Sequence, residues 1–473
     1  MNRLGGERRE TAFGTLLFVV ALVPRLFAAL AYAGEPVWDG HYYDYGARRI
    51  AAGLGYSDDR TVAGHLVWHP WCHYPVGYSA FLALCYRVLG ASQSVAAVVN
   101  ALVGAAVAVV TWALARWALS SARARGAGLI VALHPGLILY AALVMTEPLA
   151  ALLTLSAFWL AVRDAHAFRG IVVGSLVLGV AALVRPQALL CAPFMAVLGG
   201  NRAPARLRAA LAACLVALVP VLPWTARNCR VMDGCALVST NTGWNLAIGS
   251  FPRATGRFET LRSSDGCRDV TGQVQQDRCW FRYALGQIAA RPMRWLALMP
   301  AKLGYTFDHE SFAVEYLHEA RPDAWPEPKR VLARGITSLV HRLVLAAAAL
   351  GGIAFPLARR ARPWTAQGVL LVVTALLGVI AFTRDSPTLW PVAVWAAVAP
   401  WLPVPGRPKF SPALALALGL LGTTIATHAI FFGEDRYHVI VTPVVAILAA
   451  AALRPPRPSP ERAAALAASR SRG

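Results

Sequence analysis

Asp39 and Asp44 stand among Trp38, Tyr42, Tyr43 and Tyr45 just after the first hydrophobic run, with Arg48 and Arg49 behind them. Further along, Glu147 falls between Met145-Thr146 and Pro148-Leu149, Arg185 lies in the turn "VRPQ", and Arg227 and Asn228 end "LPWTARN". His69, His73 and Tyr74 precede "PVGYS". A carboxylate at an interface can take a proton from a hydroxyl, and basic groups can hold a departing phosphate. These types suit transfer from a substrate that lives in a bilayer and reacts at its surface. Each also has a plainer reading. Tyrosines belt membrane interfaces, span-end bases such as Lys302 and Arg384 snorkel, and Asp385 and Glu434 read as solvated turn residues. Glu147 resists the plain reading, because its turn leaves almost no room for a solvated loop.

The elements that must position these residues are membrane spans. The 473 residues are 57% hydrophobic and only 15% charged, with a mean hydropathy of +0.51; a soluble chain carries roughly a quarter charged residues. Apolar runs of about 18–20 residues recur along the length, and irregular backbone cannot face lipid, so the runs read as helices. The net charge of +21 does not indicate nucleic acid. Its arginines cluster in short loops near 115–126, 201–208 and 358–363 and at both ends, two spans apart, as the positive-inside rule requires.

The reading is an all-α polytopic membrane protein of about twelve spans with both termini inside. "MNRLGGERRE", the following apolar run and "AYAG" resemble a signal peptide, but the length from Thr11 to Ala33, broken by Pro24 and Arg25, favours an uncleaved first span. Residues 1–224 make an N-terminal membrane core whose first outer loop (34–92) is expected to be helical, with "GYSAFLALCYRVLG" (77–90) interfacial or re-entrant. Residues 225–333 form an outer extracytoplasmic segment, 334–454 the C-terminal spans, and 455–473 a basic cytoplasmic tail. Outward-facing acids and bases at successive span ends, Arg436 and Lys302 to Glu310 among them, can then converge on a cavity at one membrane surface.

Of eight cysteines, Cys229, Cys235, Cys267 and Cys279 fall in the outer segment. Four allow three connectivities, and the short-range pairs Cys229–Cys235 and Cys267–Cys279 are expected. No C-x-x-C or cysteine–histidine zinc spacing occurs, and the first-loop histidines His69 and His73 read either as loop residues or as metal ligands. P-loop, Rossmann and nucleophile-elbow motifs are absent, which argues against a soluble nucleotide donor.

Five segments in order resemble the GT-C membrane glycosyltransferases that use polyprenyl-phosphate sugars, in the branch of protein O-mannosyltransferases, lipid A aminoarabinose transferases and rhizobial core transferases. These are Asp39, Tyr43, "AAGLGY" (51–56) and "YPVGYS" (74–79); "YAALVMTEPLAALL" (140–153); "LVRPQALLCAP" (183–193); "PWTARNCRVMDGCALVSTNTGWNLAIGS" (223–250); and "DRYHVIVTPVVAIL" (435–448). The resemblance implies Asp39 as the catalytic carboxylate of the first loop, the general base toward the acceptor, and Glu147 as a second acidic residue, positioning the acceptor or a divalent ion. It implies Arg48, Arg185 and Arg227 for the donor phosphate, and Tyr43, Tyr74 and Asn228 for substrate. Glu147 and His73 are the metal candidates. The chain departs from the pattern in two places. Gly40 follows Asp39 where some members carry a second acid, and His73-Tyr74 stand where some carry Glu-Lys.

The function so implied is inverting transfer of one sugar from a polyprenyl-phosphate carrier to a lipid, glycan or protein acceptor, at the outer face of the cytoplasmic membrane. The alternatives are a non-enzymatic glycolipid transporter and a surface-glycan polymerase or ligase. Apart from Arg25 and His134 the span centres are apolar, and no internal repeat is visible, which disfavours the transporter. Asp44 is expected to be a solvated or capping neighbour of Asp39.

Overall fold

A computed structural model describes residues 3–164, 166–354, 364–383, 388–402 and 411–453. The basic loop at 358–363, Arg384, Asp385 and the tail 455–473 lie outside the described residues. The helices run α1 (Arg3–Tyr32), α2 (Asp39–Ala51), then β1 (Ser57–Val62) and β2 (His65–Pro70), α3 (Gly77–Leu89), α4 (Gln93–Ala115), α5 (Ser121–Leu133), α6 (Pro135–Leu139), α7 (Glu147–Arg163), α8 (Ala167–Val184), α9 (Ala203–Leu218) and α10 (Leu222–Val231). The second half contains α11 (Thr242–Ile248), α12 (Gln273–Ala290), α13 (Pro292–Ala297), α14 (Met299–Phe307), α15 (Phe312–Ala320), α16 (Glu327–Ala354), α17 (Trp364–Thr383), α18 (Trp390–Val398), α19 (Pro412–Ile430) and α20 (Thr442–Ala452).

The helical, polytopic character is as expected, with fewer clear spans among the described residues than the expected twelve or so. Among the described residues, five helices are long and apolar enough to cross a membrane: most of α1, then α4, α8, α16 and α19. The pairs α5–α6 and α9–α10 reach that length only across bends of 53° and 48°. Prolines account for the breaks, because Pro135 and Pro223 lack the amide a continuous helix needs there. At the first break the freed carbonyls are taken by the buried Arg25 of α1, which donates to Ala132 O at 2.6 Å and Val131 O at 2.8 Å. A guanidinium in a span is costly unless its donors are used, and here it repairs the neighbouring helix.

Residues 34–92, expected to be helical, are not wholly so. Residues 57–70 form an antiparallel hairpin with Val62 opposite His65, turned by Ala63 (φ 49°) and Gly64 (φ 82°). Positive φ at both central residues matches the right-handed strand twist. Ala-Gly is a weaker signal for that turn than Asn-Gly, which is why the strand pair escaped the sequence reading. α3, with 13 residues, is too short to span alone, as expected.

Residues 225–333 divide between two cores. Leu246, Phe251, Leu261 and Trp280 form a separate core that also takes Phe432 and Tyr437 from the turn after α19. Leu303, Phe307, Phe312 and Tyr316 instead join the main helical core. Both expected disulfides are formed, Cys229–Cys235 and Cys267–Cys279. Lys302 does not snorkel: it is fully buried, donates to Ile430 O at 2.8 Å, and burial, with Arg294 nearby, lowers its ammonium to about 7.

Candidate active site

Four segments distant in sequence close around one cavity of about 390 Å³. The N-terminus of α2 contributes Asp39 and Tyr43, the loop before α3 His73 and Tyr74, the turn after α8 Arg185 and Gln187, and the turn after α19 Arg436 and Tyr437. The segment 225–333 covers it with Asn241, Trp244 and Asn245, while Val184, Leu190, Phe431 and Phe432 give one wall an apolar face.

Asp39 is the first residue of α2, where the helix dipole favours a carboxylate. Its Oδ1 accepts from the Tyr74 hydroxyl at 2.7 Å and its Oδ2 from Arg436 Nη1 at 2.6 Å. Burial works to raise its acid, but Arg436, the Tyr74 hydrogen bond and the more distant Arg185 outweigh burial and hold Asp39 below the ordinary carboxyl range. The preceding Trp38 has φ 50°, a left-handed conformation costing about 1–3 kcal/mol in a bulky residue. Trp38 is held there by ring contacts with Phe312 at 5.3 Å and Tyr316 at 5.7 Å.

Gly40 explains why a second acid cannot follow Asp39. A Cβ there would lie 2.8 Å from Val144 O and against the Tyr316 hydroxyl. The start of α2 is therefore pressed onto the turn before Glu147. Gly40→Ala is expected to cost about 1–3 kcal/mol through overpacking, read as a lowered midpoint in detergent unfolding. It should also weaken activity, because the displaced backbone carries Asp39.

Glu147 is completely buried and does not line the cavity. Its Oε1 pairs with Arg185 Nη1 at 3.2 Å, and Arg185 does line the cavity, 5.3 Å over the Tyr437 ring. Glu147 thus orients Arg185. His73 packs edge-on against Tyr74 and Trp244, and burial outweighs nearby Asp39 to lower its pKa, favouring the neutral ring. The residues present do not fit a metal ion shared by Asp39 and Glu147, since both oxygens of Asp39 are engaged and Glu147 is turned to Arg185. Neither Glu147 nor His73 belongs to a group of three potential ligands among the described residues; Glu310, His341 and His438 do.

Other expected site residues are placed elsewhere. Arg48 is held by Asp44 at 2.6 Å and lies over the Tyr86 ring. Asp44 is buried rather than solvated, accepting from Tyr86 and Arg48. Arg227 donates to Tyr56 O at 2.7 Å and Trp71 O at 2.9 Å, bracing the hairpin. The Asn228 amide donates to Ala236 O at 3.1 Å, across the loop closed by Cys229–Cys235. None of these four lines the cavity.

Arg436 is the residue whose importance the sequence understated. It is ringed by Asp39, Glu434 and Tyr437; burial lowers its pKa, but these neighbours outweigh it and raise the pKa well above the usual value, so the guanidinium stays charged. Glu434 is a half-buried neighbour of Arg436, not a free turn residue. Burial, opposed by Arg436 and reinforced by Asp39, Asp435 and Glu147, pushes its acid up to about 7. Asn241, Trp244 and Asn245 lie within "STNTGWNLAIGS", but their types alone gave no reason to single them out.

The arrangement presents one ionised carboxylate, two guanidiniums and an apolar wall in a single cavity. It can deprotonate a hydroxyl and neutralise a phosphate. No protein-family model and no curated protein matches the chain. Among solved structures, it is similar to an oligosaccharyltransferase of Archaeoglobus fulgidus tethered to an acceptor peptide, at 13% identity and a TM-score of 0.47 over 94% of this chain and 49% of that one. The same organism's AglB in complex with an inhibitory peptide and a dolichol-phosphate gives 14% identity and a TM-score of 0.47, over 94% and 50%. ArnT from Cupriavidus metallidurans, bound to undecaprenyl phosphate, gives 14% identity and a TM-score of 0.36, over 93% and 78%. The chain spans about half the length of the archaeal structures it matches.

Proposed function

We propose that this protein is an inverting glycosyltransferase of the cytoplasmic membrane, moving one sugar from a polyprenyl-phosphate carrier to a hydroxyl acceptor at the extracytoplasmic face. The observation that carries the reading is the cavity itself, in which Asp39 is clamped between Tyr74 and Arg436 beside Arg185. The donor phosphate enters between Arg185 and Arg436, with its lipid along Val184, Leu190 and the phenylalanines. The sugar lies under Asn241, Trp244 and Asn245. Binding of the phosphate draws Arg436 from Asp39, which frees Oδ2 and raises the basicity of the carboxylate. The acceptor hydroxyl gives its proton to Asp39 while its oxygen attacks the anomeric carbon from the face opposite the phosphate. The bond from that carbon to the phosphate oxygen breaks, and the polyprenyl phosphate leaves as an anion paired with the two arginines. Glu147 keeps Arg185 in place. The acceptor is a lipid, glycan or protein hydroxyl.

The test is mass spectrometry of surface lipids and glycans from cells with and without the protein, followed by transfer from a synthetic polyprenyl-phosphate sugar in proteoliposomes. A sugar missing from one fraction and restored by the reconstituted protein is expected. Identical profiles together with no transfer from any such donor would overturn the reading.

Glu434 gives this reaction a pH dependence. Below about 7 its carboxyl is neutral and leaves Arg436 available to the phosphate. Above that it ionises and competes for the guanidinium. The KM for donor should rise about three- to ten-fold between about pH 6 and pH 8, the scale of one pKa unit of interaction. Glu434→Gln should flatten this rise, and an unchanged profile in that variant would remove Glu434 from the account.

A further inference from the structure

Behind the cavity lies a second cluster that the transfer reaction does not use. Glu310 sits in the loop between α14 and α15, His134 at the break between α5 and α6, His341 on α16, and His438 in the helical turn before α20. All four are between 1% and 4% exposed. Both carboxylate oxygens of Glu310, both ring nitrogens of His134 and Nε2 of His438 lack hydrogen-bond partners. A buried carboxylate without a donor costs several kcal/mol, by order of magnitude, unless it takes up a proton or is paired with a cation.

The two best-placed histidines are oriented for one. His438 Nδ1 meets Thr306 O at 2.7 Å, and His341 Nε2 meets Phe307 O at 2.8 Å. These are successive carbonyls at the end of α14. Donation of a ring N–H to a backbone carbonyl fixes the tautomer and leaves the opposite nitrogen as a lone pair, the usual outer support of a metal-bound imidazole. His438 then faces Glu310 Oε2 at 3.9 Å with an acceptor opposite an acceptor. His134 Nε2 approaches the same oxygen at 3.7 Å, and the His341 and His438 rings stack with centroids 4.1 Å apart.

We infer that Glu310, His341 and His438, with His134 as the fourth ligand, form a closed structural site for a divalent cation of the zinc type. Ligand atoms of the first three already lie within 4.8 Å of one another. A tetrahedral zinc with bonds of about 2.0–2.2 Å would draw these three inward, with His134 joining from 3.7 Å away from Glu310 Oε2. One carboxylate and three imidazoles match borderline-soft zinc better than magnesium or calcium, which take oxygen ligands. Full burial with four protein ligands leaves no open position for chemistry. The ion would clip together four segments, one of which carries Arg436 two residues before His438.

The full-length protein, purified in detergent through a non-histidine tag and equilibrated with zinc, should retain about one ion per chain by elemental analysis. Cobalt in its place should give the intense visible bands of a four-coordinate ion. Glu310→Gln and His438→Gln should each reduce retained metal at least about ten-fold. Gly136→Ala removes no ligand, but its Cβ would occupy the position of Glu310 Oε1, so it too should weaken binding. Monodisperse elution confirms that each variant is folded. A wild-type protein that retains no zinc and shows no cobalt bands, or full metal content in both ligand variants, overturns the site in favour of a buried imidazolium–carboxylate pair. Metal content is read without any transfer assay, so this result stands apart from the proposed reaction.

Discussion

Asp39→Asn should reduce transfer by about a thousand-fold, within the range for loss of a general base, while the protein stays folded and inserted in the membrane. The amide keeps the shape of the carboxylate. Its oxygen can still accept from Tyr74, as Oδ1 does now at 2.7 Å, so little packing is lost. The charge that pairs with Arg436 disappears, and the guanidinium is released to the donor phosphate. The signature is therefore a fall in kcat with the KM for donor unchanged or lower. A merely structural role for Asp39 would raise KM or lower expression together with kcat. Initial rates over a donor series in proteoliposomes separate the two, and a variant retaining more than about a tenth of wild-type kcat would remove Asp39 from the chemistry.

The site was legible in sequence to the extent that its residues sit at span ends. Asp39, Glu147 and Arg185 stand out because an ionised group beside an apolar run is expensive without a purpose, and the short spacings of Cys229–Cys235 and Cys267–Cys279 make their pairing foreseeable. What composition and spacing do not show is how a polar group is spent. Arg48 reads as a free base, yet Asp44 lies one helical turn before it and takes it. Arg227 reads as a phosphate ligand, yet its donors are used by the carbonyls of Tyr56 and Trp71. The partner that matters to Asp39 is 397 residues away, a separation at which no periodicity carries information. The cluster of Glu310, His341 and His438 was invisible for the same reason: its residues have no shared spacing and meet only because α14, α16 and the turn before α20 pack together. The hairpin at 57–70 escaped because its turn uses Ala-Gly.

Replacing Arg436 by glutamine should cost about as much as replacing Asp39, but through different constants. Arg436 joins Asp39 at 2.6 Å and lies 5.2 Å over the Phe312 ring, so it is held in place before any donor arrives. Its loss removes one of the two cations facing the phosphate, which lowers kcat/KM by about 10²–10³ with a marked rise in the KM for donor. Arg436→Lys restores the charge without the planar fork and should recover about ten-fold of that loss. A second consequence involves Asp39. Arg436 is the main influence holding that acid low against burial, so in the glutamine variant burial prevails and the acid rises. In the wild type, the lowered acid contributes stability that is present above the unfolded carboxyl value and lost as pH falls through the folded one. The variant lacks that contribution. Residual activity in Arg436→Gln should therefore lose its acid limb at a higher pH than the wild type, and the unfolding midpoint at neutral pH should fall. The double variant Asp39→Asn/Arg436→Gln should unfold no more easily than Arg436→Gln alone, because the uncompensated carboxylate is gone. Additive losses of stability in the double variant would show that the two residues are not a pair, and the release of Asp39 by donor binding would fail with them.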